Sequence, residues 1–209
     1  MVKSLSALGL MAANGANPEL SGIAVDSREV RKGFLFAAMP GVKVHGASFV
    51  KTALELGAVA ILTDAEGAAL ASEEISEFGA AVVISDKPRE ALSRTAALWF
   101  GAQPRVMTAV TGTNGKTSVS TFVRQIWAEL ELAAVNLGTT GVEGAWTAPL
   151  AHTTPEPITL HRTLAEAEAN GITHAAMEAS SHGLDQCRLD GVVLKTAGFT
   201  NFTQDHLDY

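Results

Sequence analysis

The chain alternates short, continuously apolar runs with stretches whose apolar residues recur at helical spacing. Ile23-Ala24-Val25 reads as a short strand entering a turn at Asp26-Ser27-Arg28. Gly33-Phe34-Leu35-Phe36-Ala37-Ala38 reads as a second strand, closed by Pro40-Gly41. Phe49 to Leu56 carries helical spacing and stops at Gly57. Ala58–Leu62 is a buried strand, Glu73–Phe78 a short helix and Ala81–Ile84 another buried strand. A helix opens at Pro88-Arg89 and runs through Phe100, where Gly101-Ala102-Gln103-Pro104 breaks the chain. Beyond the break, Val106–Val110 reads as a strand, Lys116 to about Leu130 as a helix and Ala133–Leu137 as a strand. A polar stretch rich in Gly and Thr, from Gly138 to Pro157, follows. Ile158–Asn170 is helical, Thr173–Glu178 is a strand ending in an acid, and Val192–Thr196 and Ala197–Thr200 are strand-like.

Apolar strands alternating with helices predict α/β layering with a mainly parallel sheet, because strands covered on both faces lose the polar alternation of half-exposed ones. The break places a domain boundary between about 88 and 104, dividing a small first α/β domain, residues 1–88, from a second, residues 89–209. Met1–Ala13 reads as an amphipathic first helix rather than a signal peptide, because Ser4, Ser6 and Gly9 interrupt its apolar run.

Composition narrows the function classes. Apolar residues make up 47% of the 209 residues and charged ones 18%, which suits a packed core. The formal charge of -7, with no basic run, supplies no surface for phosphate backbones, so a nucleic-acid partner is not expected. No apolar run approaches the roughly 20 residues a spanning helix needs, so no membrane insertion is expected. The lone Cys187 cannot form an internal disulfide, which points to a reducing compartment, the cytoplasm.

The chemistry concentrates in one run: Gly112-Thr113-Asn114-Gly115-Lys116-Thr117-Ser118. It sits between a strand and a helix, where glycines admit phosphates to backbone N–H groups and the helix N-terminus adds partial positive charge. Lys116 suits the β- and γ-phosphates of ATP, and the Thr117 hydroxyl suits Mg²⁺. The loop is shorter than the common G-x-x-x-x-G-K-[ST] form, whose first glycine would fall at Val110. A Gly/Thr/Asn turn that merely caps a helix is the alternative.

Thr-Gly-Thr-Asn-Gly-Lys-Thr-Ser resembles the ATP loop of the Mur ligase superfamily. Three further segments are similar to its MurE type, the UDP-N-acetylmuramoyl-tripeptide synthetases. They are His152-Thr153-Thr154-Pro155-Glu156, then Met177–Leu184 with Gln186 and Arg188, and Thr200–Tyr209, which is similar to T-N-[LF]-x-x-D-H-L-D-Y-H as far as its Tyr. Asp26-Ser27-Arg28 with Gly33–Ala38 resembles that family's uridine-nucleotide domain.

The resemblance implies an ATP-dependent carboxylate–amine ligase acting on UDP-MurNAc-L-Ala-D-Glu and an amino acid, with meso-diaminopimelate expected on family frequency. It implies Lys116, Glu178 and His206 as catalytic residues, and Thr117, Glu178 and His206 as Mg²⁺ ligands. Val25 and Ser27 would contact the uridine diphosphate, together with the Val42–His45 stretch. His152, Thr153, Thr154, Ser180, Gln186 and Arg188 would hold the muramyl-peptide. It further implies a monomer at full length. This chain is expected to be an incomplete, inactive piece, with an unpaired sheet edge and uncovered apolar faces.

Alternatives from the residues alone remain open. Thr153–Glu156 is also a helix start with a threonine cap. Glu178 alone reads as a strand-end acid, and His206 between Asp205 and Asp208 as a solvated turn. His45, His161 and His174 are expected as surface or helix positions. A related superfamily ligase, or a non-catalytic nucleotide-binding module, would share the loop. Ser181-His182 lacks the acid and the nucleophile elbow of a hydrolase.

Overall fold

A computed structural model describes residues 1–204. The chain forms two compact units, Met1–Trp99 and Phe100–Tyr209.

In the first unit a short antiparallel pair joins β1 (Lys3–Ser4) to β2 (Glu19–Leu20). The main sheet of this unit comprises β3 (Gly22–Ala24), β4 (Phe34–Ala37), β5 (Ala60–Thr63) and β6 (Ala81–Ile84). These are parallel and stand in sequence order. Helix α1 (Val50–Glu55) connects β4 to β5, and α2 (Ala65–Leu70) and α3 (Ser72–Phe78) connect β5 to β6. Phe36 and Ile61 pack with Val50, Ala53 and Leu54 in one buried cluster. Helix α4 (Pro88–Phe100) follows.

The expected first helix over Met1–Ala13 is not formed. A single 3₁₀ turn covers Ser6–Leu8 and ends at Gly9, whose φ of 72° is left-handed. Leu5 then donates its N–H to Pro18 O at 3.0 Å, extending the pairing of β1 and β2. Leu5, Leu8 and Leu10 are buried all the same. Helical spacing at Leu5 and Leu8 thus survives as one turn, and pairing with a distant segment overrides the rest.

In the second unit, β7 (Val106–Thr111) leads into α5 (Lys116–Glu129). The hairpin β8 (Ala134–Gly138) and β9 (Gly141–Gly144) follows, then α6 (Pro157–Ala169), β10 (His174–Glu178), α7 (Ser181–Asp185) and β11 (Thr196–Phe199). Among the described residues the sheet order is β11-β7-β10-β8-β9, parallel except for β9. Apolar strand residues Met107, Val135, Leu137 and Met177 pack with Leu160 and Leu164 of α6. From β7 the chain travels to β8, and from β10 it travels to β11 on the opposite side. This is a topological switch point, and ligand crevices in open α/β sheets lie beyond the strand carboxyl ends there.

Three differences from the sequence expectations arise in this unit. The polar Gly138–Pro157 stretch contains β9, folded back on β8 from Gly138↔Gly141 onward. Val192–Thr196 is not a strand: Val192 N turns back to Leu189 O at 2.8 Å, and regular pairing starts at Thr196. The cap of α6 is Glu156, not a threonine. Its carboxylate accepts from Ile158 N at 2.7 Å and Thr159 N at 2.6 Å, with Pro157 at the first helical position. Negative charge at a helix N-terminus adds to the cap. Glu156→Ala is expected to cost about 1 kcal/mol of stability. Urea unfolding of the two proteins tests this, and equal midpoints would remove the capping role.

Strand β11 is exposed along its length. Phe122 and Ile126 of α5 and Leu130 at its C-terminal cap are exposed.

Candidate phosphate-binding site

The glycine loop leaves β7 at the switch point. Gly112 has φ 129° and Gly115 has φ 86°, a backbone that side chains other than glycine's rarely adopt. Gly115 caps α5, a helix of 14 residues. Among the described residues, the N–H groups of Gly115, Lys116, Thr117 and Ser118 have no acceptor. Four donors without partners at a helix start form a cradle for an anion. Lys116 Nζ folds over the loop, donating to Gly112 O at 2.7 Å and to Thr113 O at 3.1 Å. These carbonyls are neutral partners, which an arriving phosphate would displace for a stronger, charge-assisted bond.

Glu178 ends β10 beside this loop and is 1% exposed. Its Oε2 accepts from the Thr117 hydroxyl at 2.9 Å, and its Oε1 accepts from Thr139 N at 3.0 Å. Gly138 makes the approach possible, since a Cβ there would overlap the Glu178 carboxylate. Among the described residues no cation pairs with this buried acid. A buried carboxylate without a countercharge, next to a hydroxyl and a phosphate cradle, is an oxygen set suited to a hard divalent ion. Among the described residues no three His, Cys, Asp or Glu side chains cluster as a self-contained metal site. Mg²⁺ commonly takes one or two carboxylates plus substrate phosphates, so the Thr117–Glu178 pair fits it.

Thr154 ties the site together from below. Its hydroxyl donates to Glu178 O at 3.0 Å and accepts from Ser180 N at 3.0 Å. Arg188 donates to Thr154 O and, through Nε and Nη2, to Gln186 Oε1 at 3.2 and 2.8 Å. Ser180 Oγ accepts from Gly183 N at 3.1 Å and opens α7. Thr153 shares a hydroxyl bond of 3.0 Å with Thr139, while His152 is exposed. Thr153, Thr154, Ser180, Gln186 and Arg188 thus gather around Glu178. The Thr154 hydroxyl uses its one donor and one of its acceptor lone pairs inside the protein. A cavity of about 230 Å³ lies between the loop residues Gly112, Thr113 and Lys116 and the Ser180–Ser181 turn.

In the first unit, Val25 and Ser27 line a surface cavity of about 600 Å³ with Asp26, Arg28, Phe49 and Thr52. Arg28 hydrogen-bonds the Asp26 carboxylate and holds its pKa down to about 2. His45 is engaged internally: Nδ1 accepts from Ala47 N at 3.0 Å and Nε2 lies 3.1 Å from Asp64 Oδ1. His161 and His174 are not surface residues, being 2% and 8% exposed. His161 lies in α6, but His174 opens strand β10. His206, with Asp205 and the motif through Tyr209, lies outside the described residues.

Sequence reasoning missed three contributors: Gly138 and Thr139 at the β8–β9 turn, and Asn201. For Asn201 a signal existed, because it sits inside the Thr200–Tyr209 motif. For Thr139 the only signal was a Gly-Thr-Thr-Gly turn.

Both units of the chain resemble known proteins. The profile of the Mur ligase middle domain matches residues 110–209, and that of the Mur ligase family catalytic domain matches residues 19–100. A UDP-N-acetylmuramoyl-L-alanyl-D-glutamate--2,6-diaminopimelate ligase of Brucella melitensis biotype 1 is 53% identical over 192 residues, covering 91% of this chain and 38% of the relative. The protein of the same name from Agrobacterium fabrum is 51% identical, covering 91% and 37%. A solved structure of such a ligase superposes with a TM-score of 0.78 at 29% identity, covering 99% of this chain and 42% of that one. The chain spans about 38% of the length of the Brucella relative. Its two matched segments, its loop and its parallel sheets place it plainly: the chain belongs to the Mur ligase family.

Proposed function

We propose that this chain carries the ATP-activating part of a ligase that joins 2,6-diaminopimelate to UDP-MurNAc-L-Ala-D-Glu. The observation that supports this most is that the Gly115–Ser118 amides, which have no acceptor among the described residues, adjoin the Thr117 hydroxyl and the buried Glu178 carboxylate. The names of the relatives supply the substrate class.

A carboxylate resists attack by an amine until one oxygen becomes a good leaving group. In the proposed reaction the D-glutamate carboxylate oxygen attacks the γ-phosphorus of ATP, and the bond to the β-phosphate oxygen breaks to release ADP. The amine of the incoming amino acid then attacks the acyl carbon, the C–O bond to phosphate breaks, and the amine gives up a proton. The Gly115–Ser118 amides and Lys116 hold the polyphosphate and offset charge that grows on its oxygens. Thr117 and Glu178 would hold Mg²⁺, which when bound would supply further neutralisation of phosphate charge. Ser180, Gln186 and Arg188 hold the muramyl-dipeptide, and Val25 and Ser27 the uridine end. The proposed compartment is the cytoplasm. Among the described residues no helix is long and apolar enough to cross a membrane.

Calorimetric titration tests the reading. The chain is expected to bind ATP far better with Mg²⁺ than without, and to bind UDP-MurNAc-L-Ala-D-Glu in preference to a folate. Binding of the folate instead would move the protein to another ligase class.

A further inference from the structure

The amides of the phosphate loop fall into two groups. Those of Gly115–Ser118 have no acceptor among the described residues, whereas those of Thr113 and Asn114 are both taken by Asn201. Thr113 N donates to Asn201 O at 3.0 Å, and Asn114 N donates to Asn201 Oδ1 at 3.1 Å. The side-chain amide of Asn201 returns a bond to Asn114 O at 3.0 Å. Flanking residues continue the grip. Thr200 Oγ1 donates to Asn114 O at 2.7 Å, and Thr203 N donates to Thr113 Oγ1 at 3.0 Å. Gly112 is closed in by the same segment, since a Cβ there would meet Thr200 Oγ1 and Asn201 backbone atoms.

We propose that Asn201 is a positioning residue for the phosphate loop. It holds Thr113 and Asn114 by backbone and side chain at once, so that the neighbouring free amides are already aimed when the polyphosphate arrives. The proposal rests on the ATP reading above. A loop bounded by two glycines has many conformations open to it, and ordering it on binding would subtract from affinity. Asn201 uses atoms that Lys116 does not touch, because Lys116 takes the carbonyls of Gly112 and Thr113. Asparagine suits the task because one side chain both accepts and donates. The opposite role, a plug that covers donors ATP needs, predicts the reverse sign on removal.

The test combines residue-resolved amide exchange with MgATP titration of the wild-type chain and Asn201→Ala. In the wild type the Thr113 and Asn114 amides are expected to be protected without ligand. In Asn201→Ala the Asn114 amide, whose acceptor is the Asn201 side chain, is expected to exchange about tenfold faster or more, while the Thr113 amide, whose acceptor is the Asn201 main-chain carbonyl, changes less and the strand amides of Val110 and Met177 keep their protection. The Kd for MgATP is expected to rise about tenfold, the scale of one or two net hydrogen bonds. Unchanged or tighter MgATP binding with intact strand protection overturns the proposal and favours a plug. Unprotected Thr113 and Asn114 amides in the wild type overturn it even if the variant does not fold. A protected loop in a wild-type chain that binds no MgATP instead overturns the ATP reading.

Discussion

Lys116→Ala is expected to weaken MgATP binding by at least about a hundredfold, the result of removing one partner from a desolvated, hydrogen-bonded charge pair. Without ligand, the Lys116 ammonium touches two carbonyls of its own loop, Gly112 O and Thr113 O. Those bonds join neutral acceptors on a half-exposed surface, so stability should change little on truncation. With triphosphate bound as proposed, the same ammonium would face oxygens that carry several negative charges, in a cradle whose other donors are neutral amides. The loss therefore falls on binding and not on folding. Lys116→Arg is no substitute, because a planar fork needs more room than a point charge and meets phosphate along other directions. Calorimetry with MgATP, read beside urea unfolding of the same variant, measures both quantities. A variant that binds MgATP as the wild type does would sink the assignment of this loop. A variant that unfolds at much lower urea would place Lys116 in the fold.

What was legible in the sequence had local causes. The phosphate loop announces itself because an apolar strand, two glycines and a Lys-Thr pair stand within a dozen residues, each answering a constraint its neighbours create. Glu178 was legible as an acid ending a buried strand, and the strand register with Val110 puts it at the loop. What was missed depends on contacts between distant segments. Thr139 reaches Glu178 across 39 positions and Asn201 reaches Asn114 across 87, and no periodicity encodes either. The first helix failed for the same reason: Leu5 and Leu8 satisfy helical spacing, but β1 finds a strand partner at Glu19–Leu20. Thr153 and Thr154 were legible as important but not in kind. Their motif suggested ligand contacts, while the Thr154 hydroxyl links the carbonyl of Glu178 to the amide of Ser180. That role still serves the candidate site, because it fixes where the proposed Glu178 and Ser180 sit. Buried histidines were the least legible. His161 occupies an apolar-face position in α6, where helical spacing would put a leucine.

His161 should make the protein sensitive to mild acid. The ring is 2% exposed, and its Nε2 is buried without a hydrogen-bond partner among the described residues. Burial disfavours the charged form and lowers the pKa from 6.5 to about 4. Between these two values the unfolded chain binds a proton that the folded chain refuses, so stability falls as pH drops through this window. Above pH 6.5 both states are neutral and this residue contributes no slope. At about pH 4 the accumulated loss approaches 3 kcal/mol, from about 1.4 kcal/mol for each unit of displacement. His161→Leu keeps the approximate volume, removes the orphaned nitrogen and cannot titrate. It is therefore expected to be at least as stable as the wild type at neutral pH, since a buried polar atom without a partner carries a desolvation penalty of about 1–3 kcal/mol. In acid the difference should widen, because only the wild type must be held against protonation. Urea midpoints of both proteins, measured from neutral pH to about pH 4, give the two curves. Parallel curves would mean that His161 keeps its ordinary affinity for protons in the fold, and a less stable leucine variant at every pH would mean that the imidazole has a partner there.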